Sequence, residues 1–593
     1  MTPHEEYKQR LQERQEHQAT LTKKEQLLGN ARVLVFLLAL LVIYLAVRPK
    51  LLSIWWVTVP TLIFTALLIW HERVTRALIR SGRAVAFYER GLARLEHRWI
   101  GSGQPGTRFL DETHPNAADL DLFGSGSLFE LLCTARTQTG EKTLANWLRA
   151  PAEPDEVRAR QQAVEELRSQ LDLREDLALL GSNVPHGVDF HLLVDWGKEP
   201  PLLVGTAWRV VLFILGLCGI TALIGWLGLG WGTIPLASVI LIEMCVFLSL
   251  RARVLRVIST VENKNRDLAL LVGVLARLEK ESFTCPRLAE IRKSLDASGA
   301  SPSYRIAQLS NLLDLLNSRK NMLFAPFALL MMWGTQISFA IEKWRLASGA
   351  SIEKWLHAVG QFEAFCSLAT FAFENPEYPF PTIQDEGARV DGKELGHPLI
   401  PKERCVKNDI TLSEEMQVLV VSGSNMSGKS TMLRTVGINT VLALAGAPVC
   451  AKSLTVSPLV IGATLRIQDS LQAGQSRFYA ELLRVRQVVD LSRGKPPLLF
   501  LLDEIFHGTN SHDRCQGAEA VVLGLADVGA IGLVTTHDLS LTHIVEVLGS
   551  RAKNVHFADH FEDGEMVFDY KMQPGIVQNS NAIALMRAVG LNV

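Results

Sequence analysis

The chain has 593 residues, of which 60 are Lys or Arg and 61 Asp or Glu, for a net charge of −1. That balance gives the whole molecule no attraction to a polyanion, so any contact with nucleic acid has to be local. The eight cysteines follow neither a metal-ligand spacing nor a paired framework, and two of them, Cys218 and Cys245, sit inside apolar runs, which fits a reducing compartment and no structural zinc.

In chain order, residues 1–30 read as a charged helix, without the short basic start of a cleavable secretion signal. Val33 to Val47 and Leu51 to Trp70 are uncharged, with only Arg48-Pro49-Lys50 between them, and predict a membrane hairpin over 31–70. The first run is short for a hydrocarbon layer that takes about 20 helical residues. Arg32 and Arg48 can lengthen it by reaching to the interface. A helical core begins over 71–200. Val210 to Ile242 then carries no charge, and Gly228-Leu-Gly-Trp-Gly-Thr233 divides it into two helices, the second running on to Leu250, which predicts another hairpin over 201–250. Within it Glu243 is costly in lipid unless it faces another helix. Arg73, Arg76, Arg80, Arg83, Arg90, Arg94 and Arg98 follow the first hairpin and Arg251, Arg253 and Arg256 the second, whereas the turn at 228–233 is uncharged. By the positive-inside bias this predicts a multi-pass membrane protein with four spans and all large parts in the cytoplasm. The helical core resumes over 251–385. Met322 to Ile341 is uncharged too, but a fifth span would carry the C-terminal third of the chain to the wrong side, so a buried helix is expected there. The prolines of Asn375-Pro-Glu-Tyr-Pro-Phe-Pro381 end the helices.

The arginines from 73 to 98 recur at helical spacing along one face, a stripe that suits phosphates. Beside a span those phosphates are read as anionic lipid headgroups. Within the stripe Phe87-Tyr88-Glu89 is treated as coincidental, since no recognition domain surrounds it.

Gly423-Ser-Asn-Met-Ser-Gly428-Lys429-Ser430 follows the apolar run Val418 to Val421 and precedes the helix-compatible stretch Thr431 to Leu442. Strand, glycine loop and helix in this order bind the phosphates of a nucleoside triphosphate. The loop brings backbone N–H groups around them, Lys429 neutralises the β and γ oxygens, and Ser430 holds Mg²⁺. Pro497 to Leu502 reads as a buried strand ending in Asp503, a metal ligand, and Glu504, the base for the attacking water. A second strand, Ile531 to Val534, ends in Thr535-Thr536-His537, where His537 is a candidate γ-phosphate sensor. Gly474-Gln-Ser476-Arg-Phe478 opens a helix, and Ser476 is expected to complete the site of another subunit.

These segments, with His397-Pro398, Asn408-Asp409, Asp503 to Asn510, Lys553 to Phe557 and Tyr570-Lys571, resemble the MutS family of mismatch-repair ATPases. The resemblance extends to Thr134 to Gly140, Leu144 to Leu148 and Arg160 to Glu165. It implies an ABC-like α/β P-loop ATPase domain over 386–593, carrying the Walker A loop Gly423, Ser424, Asn425, Met426, Ser427, Gly428, Lys429, Ser430 and Thr431. That domain would be joined to an all-α core interrupted by the two transmembrane hairpins. It also implies ATP and Mg²⁺ as cofactors, Val406 and Asn408 near the adenine, Ser476 reaching nucleotide across a homodimer, and DNA as a partner. Ser424 and Ser427 depart from the proline and glycine usual in the family, and Phe506-His507 from its glycine and arginine. The mismatch-reading, connector and clamp parts have no counterpart expected here, nor does the C-terminal extension. Two functional readings remain: an ATPase acting on or near DNA, which the resemblance favours, and a membrane-bound mechanical or scaffolding ATPase acting on lipid or protein, which the architecture favours.

Overall fold

The computed structural model describes residues 1–48, 51–180, 190–203, 205–262, 265–295, 299–424, 426–466, 477–506, 510–562 and 565–577. The chain divides into two units, Met1–Ser102 with Leu171–Leu180, and Gly103–Gln170 with Gly181–Val593.

In the first unit, helix α1 (Pro3–Val47) starts at a capping box: Thr2 Oγ1 accepts from Glu5 N at 3.3 Å, while the Glu5 carboxylate accepts from Thr2 N at 2.8 Å. It runs without a break through both the charged segment and the first apolar run. Helix α2 (Thr58–Leu95) folds back along it, so that Tyr7 meets Tyr88 edge to face at 5.8 Å and Phe36 meets Phe64 at 6.3 Å. Leu21, Leu28 and Val74 form the seam between them. Beyond Val33 the outward sides of the pair are open: Leu34, Leu37, Leu62 and Trp70 are all more than half exposed.

Part of the arginine stripe is engaged within the first unit. Arg80 pairs with Asp176 at 3.4 Å, Arg83 donates to Leu179 O at 2.8 Å, and Arg76 pairs with Glu72. Phe87 and Tyr88 are buried, with the Tyr88 hydroxyl donating to Glu175, so the Phe-Tyr-Glu triplet presents no wedge.

In the second unit, α3 (Gln138–Arg149) and α4 (Pro154–Arg168) pack on α9 (Ile352–Glu374), which is buried almost all round. Thr137 Oγ1 caps α3 by accepting from Gly140 N at 3.0 Å and donates its own proton to Glu363 of α9 at 2.5 Å. Arg136 N and Thr137 N also donate to that carboxylate, at 3.1 and 3.3 Å. A Cβ on residue 140 would stand 2.3 Å from Glu363 Oε2, which is why glycine occupies it.

The second apolar pair, α5 (Thr206–Gly228) and α6 (Thr233–Ser259), turns at Gly230 (φ 70°) and is largely exposed. With the apolar helices of the first unit this makes four helices, among the described residues, that are long and apolar enough to cross a membrane. The run 322–341 is not one buried helix. It forms the short α7 (Ala325–Leu330), breaks where Met332 takes a left-handed conformation (φ 46°), and continues as α8 (Trp333–Ser348), which is largely buried from Thr335 to Arg345, as expected for that part of the run. The first part of the run departs from the expected buried helix because Met322, Leu323, Phe327 and Leu329 have no core to enter.

After Glu374 the chain becomes α/β. A four-stranded sheet has the order β1 (Thr382–Ile383), β5 (Ser453–Val456), β2 (Val390–Leu395), β3 (Asn408–Leu412). A six-stranded sheet has the order β10 (Glu565–Pro574), β9 (Ala552–Glu562), β4 (Val418–Ser422), β8 (Ile531–Thr536), β7 (Leu498–Asp503), β6 (Val460–Thr464), parallel except for β10. The central strands are apolar up to their last one or two residues, as parallel strands covered on both faces must be. Helix α10 (Lys429–Ala445) lies against the sheet.

Candidate functional site

Register decides which polar groups meet. Ser422 at the end of β4 pairs with Thr536 of β8, and Thr535 of β8 pairs with Asp503 of β7. The glycine loop, the acidic pair and the Thr-Thr-His segment therefore leave the sheet at one edge, the carboxyl edge where open parallel sheets bind ligands.

In the loop, Gly423 (φ 148°) and Gly428 (φ 108°) hold conformations closed to most side chains, and Met426 (φ 69°) also lies in the left-handed region. The turn brings Lys429 Nζ back over its own loop, donating to Gly423 O at 2.8 Å and Ser424 O at 2.9 Å. The same ammonium lies 3.2 Å from Glu504 Oε1 and 3.4 Å from His537 Nδ1, and Glu504 also contacts His537. Burial holds Lys429 below the usual lysine range, with Glu504 and then Asp503 opposing it. Ser424 Oγ and Ser427 Oγ are buried and have no protein partner among the described residues.

Thr535 is the residue that sequence reasoning undervalued. Its hydroxyl donates to Asp503 Oδ1 at 2.5 Å and accepts from Glu504 N at 3.0 Å, so one side chain orients both acidic residues. Glu504 (φ 46°) and Phe506 (φ 66°) are left-handed, and Phe506 N is held by the buried carboxylate of Glu481. Thr535 belongs to the Thr-Thr-His segment, and its side chain's alternation across β8 was the available signal; Glu481 closes the segment that opens at Gly474, where the sequence suggests no role for it. Asn439 was also missed. Its fully buried amide donates to Gly396 O and Thr435 O, both at 2.8 Å, and accepts from Cys450 N at 2.8 Å, tying α10 to the end of β2.

Beside Gly428 and Thr431 a cavity of about 370 Å³ opens, lined also by Val406, Asn408, Phe557 and Tyr570. Asn408 is spent on the backbone: its amide donates to Tyr570 O at 2.9 Å and accepts from Met572 N at 2.8 Å, so it positions the Tyr570 wall. Cys405 reaches the same cavity. A hydrogen bond with the Cys450 thiol pulls Cys405 down to about 6. Asn425 and Ser476 lie outside the described residues, as does His507.

A family model described as MutS domain V matches residues 419–592. Proteins named DNA mismatch repair protein MutS from Natronomonas pharaonis, Shouchella clausii and Methanococcoides burtonii are 30%, 32% and 33% identical over 250, 249 and 257 residues. The C-terminal part of this chain belongs to the MutS family. These matches cover 41 to 42% of the chain and 28% of each relative, so the chain spans under a third of their length. Every contact among the glycine loop, the acidic pair and His537 falls inside the matched MutS domain.

Proposed function

We propose that this chain binds and hydrolyses ATP at the glycine-loop edge of its MutS-type domain, as a homodimer fixed to a membrane by its four apolar helices. The observation that carries the reading is the convergence of Lys429, Glu504 and His537 on one point, with Asp503 held by Thr535 beside them. Gly423 to Thr431, including Asn425 and Met426, wrap the phosphates, and the partnerless hydroxyls of Ser424 and Ser427 suit an acceptor-rich polyanion. The donor set also fits Mg²⁺: Asp503 and Ser430 offer hard oxygen ligands, as this cation requires. When bound, Mg²⁺ neutralises charge on the β and γ oxygens. Lys429 binds the same oxygens, Glu504 orients and deprotonates the attacking water, and His537 reports on the γ-phosphate. Val406 and the wall set by Asn408 take the base, and Ser476 completes the site of the second subunit.

Glu504→Gln should keep ATP affinity and lose turnover by at least about a hundredfold, the scale on which a general base acts. Unchanged hydrolysis removes Glu504 from that role. DNA is proposed as the partner on the likeness to relatives named for mismatch repair. Titrating matched and mismatched duplexes against the purified protein at two salt concentrations should give tighter binding at low salt, since phosphate contacts release counterions. Absence of binding at both would leave the dimer engine acting on lipid or protein.

A further inference from the structure

The run at 321–341 has no charge, yet its first part offers its largest side chains outward: Met322 is 92% exposed, Leu323 87%, Leu329 74% and Phe327 54%. In water so dense an apolar patch is unfavourable. Its place in the fold says what covers it. A Cβ on Gly216 of α5 would stand 3.1 Å from Met331 Cα, and one on Gly219 would stand 3.3 Å from Leu330 O. Gly219 lies ten residues past Arg209 and nine before Gly228, about 15 and 14 Å along the helix. The tip of the segment thus rests on the middle of a candidate span. Glu243 of α6 closes the same spot, with Oε1 3.1 Å from that Gly219 position.

The base of the segment is anchored elsewhere. Arg319 and Lys320 pair with Glu262 Oε1 at 2.7 and 3.1 Å, just beyond the end of α6 and on the side that carries Arg251, Arg253 and Arg256. Helix α7, at six residues or about 9 Å, is far too short to cross. Its backbone is nevertheless closed in the way a lipid environment demands. Leu323 N bonds Asn321 Oδ1, Phe324 N and Ala325 N bond Asn321 O, Ala328 N bonds Phe324 O, Met331 N bonds Phe327 O and Met332 N bonds Leu329 O. The Gln336 amide caps Met331 O at 2.8 Å.

We propose that residues 321–332 are the descending arm of a re-entrant element, entering the lipid beside α5 from the side of Arg251 and turning at mid-depth by Met331, with Leu323, Phe327 and Leu329 against acyl chains. Helix α8 returns to the same side, where Arg345 donates to Trp196 O and Pro200 O ahead of α5. Because it returns, the four spans keep their parity. The proposal rests on the membrane reading of α5 and α6, and one experiment separates the two. Wild-type protein in lipid nanodiscs, without nucleotide, is exposed to a pulse of hydroxyl radicals, and oxidation is read residue by residue by mass spectrometry. Met426 in the glycine loop is 84% exposed and serves as the water-facing standard; Met244 on α6 is 49% exposed and serves as the span standard. Met322 and Phe327 should be modified about tenfold less than their exposed area would give on the Met426 scale. Met244 protected with Met322 and Phe327 oxidised overturns the re-entrant element alone. Met244 oxidised in proportion to Met426 overturns the membrane reading and this proposal with it.

Discussion

Glu363→Gln tests how the helical core is held together, because the carboxylate is buried at 4% exposure under α3 and burial pushes it up to about 7 from an ordinary 4.5, against the bonds from Thr137 and Arg136 N. Below the ordinary value both folded and unfolded chains carry the proton. Between the two values the unfolded chain releases it while the folded chain keeps it, so this group's stability is present at low pH and lost as pH rises toward 7. The gap from 4.5 to about 7, at about 1.36 kcal/mol for each pH unit crossed, amounts to about 3 kcal/mol lost by neutral pH. The amide that replaces the carboxyl cannot ionise. It brings an NH₂ toward one of the donating backbone N–H groups, a pH-independent cost of about 1 to 3 kcal/mol. Thermal midpoints of both proteins in the same nanodiscs, from pH 5 to 8, should therefore show the wild type ahead at pH 5 and its lead shrinking or reversing by pH 8. A lead that stays constant, or grows with pH, refutes a carboxyl held neutral by burial.

Thr535→Val keeps the shape of β8 but removes the hydroxyl that holds both Asp503 and Glu504 N, so kcat should fall about 10- to 100-fold while ATP affinity changes little; equal loss of both would mean that Thr535 serves the fold alone. Cys405, drawn down by the Cys450 thiol, should react with iodoacetamide at pH 7 well before Cys133, which burial pushes up, and the rate should drop as pH falls below about 6. ATP should slow that reaction if the base occupies the cavity that Cys405 lines.

The parts legible in the sequence share one property: their physics is local. A glycine loop between strand and helix, a buried strand ending in two acids and an uncharged stretch longer than any ordinary core helix each fix structure within a short window. What stayed hidden depends on which segments meet. Nothing near Met322 distinguishes an apolar run entering a core from one that finds none. Residues 1–30 and 33–47 looked like separate elements because their composition changes at about residue 31, yet helical hydrogen bonds do not register that change, and α1 runs straight through. Asn408 looked like a ligand-facing amide, and only the crossing of β10 revealed that both its ends are occupied.

The same limit explains the segment 114–121, which the sequence assigns to the helical core by position. Asp119 accepts from Leu465 N at 2.7 Å and Arg466 N at 2.8 Å, and pairs with Arg484 at 2.5 Å. Asn116 donates to Ile461 O at 2.9 Å, and Pro115 O accepts from Ala463 N at 2.9 Å. Leu120 fills the space over Gly437 of α10, where a Cβ would stand 2.6 Å from it. Arg434 of the same helix donates to Asp119 O at 3.1 Å. Some 300 residues later in the chain, then, β6 and the helix after the glycine loop are completed by a segment that precedes α3. A displacement of α10 cannot leave that segment in place without breaking the Arg434 bond to Asp119 O and opening the contact between Leu120 and Gly437, a cost of several kcal/mol. Residues 114–121 therefore couple α10 to β6, and the chain runs on from them to Thr137, the cap of α3, which bonds Glu363 of α9.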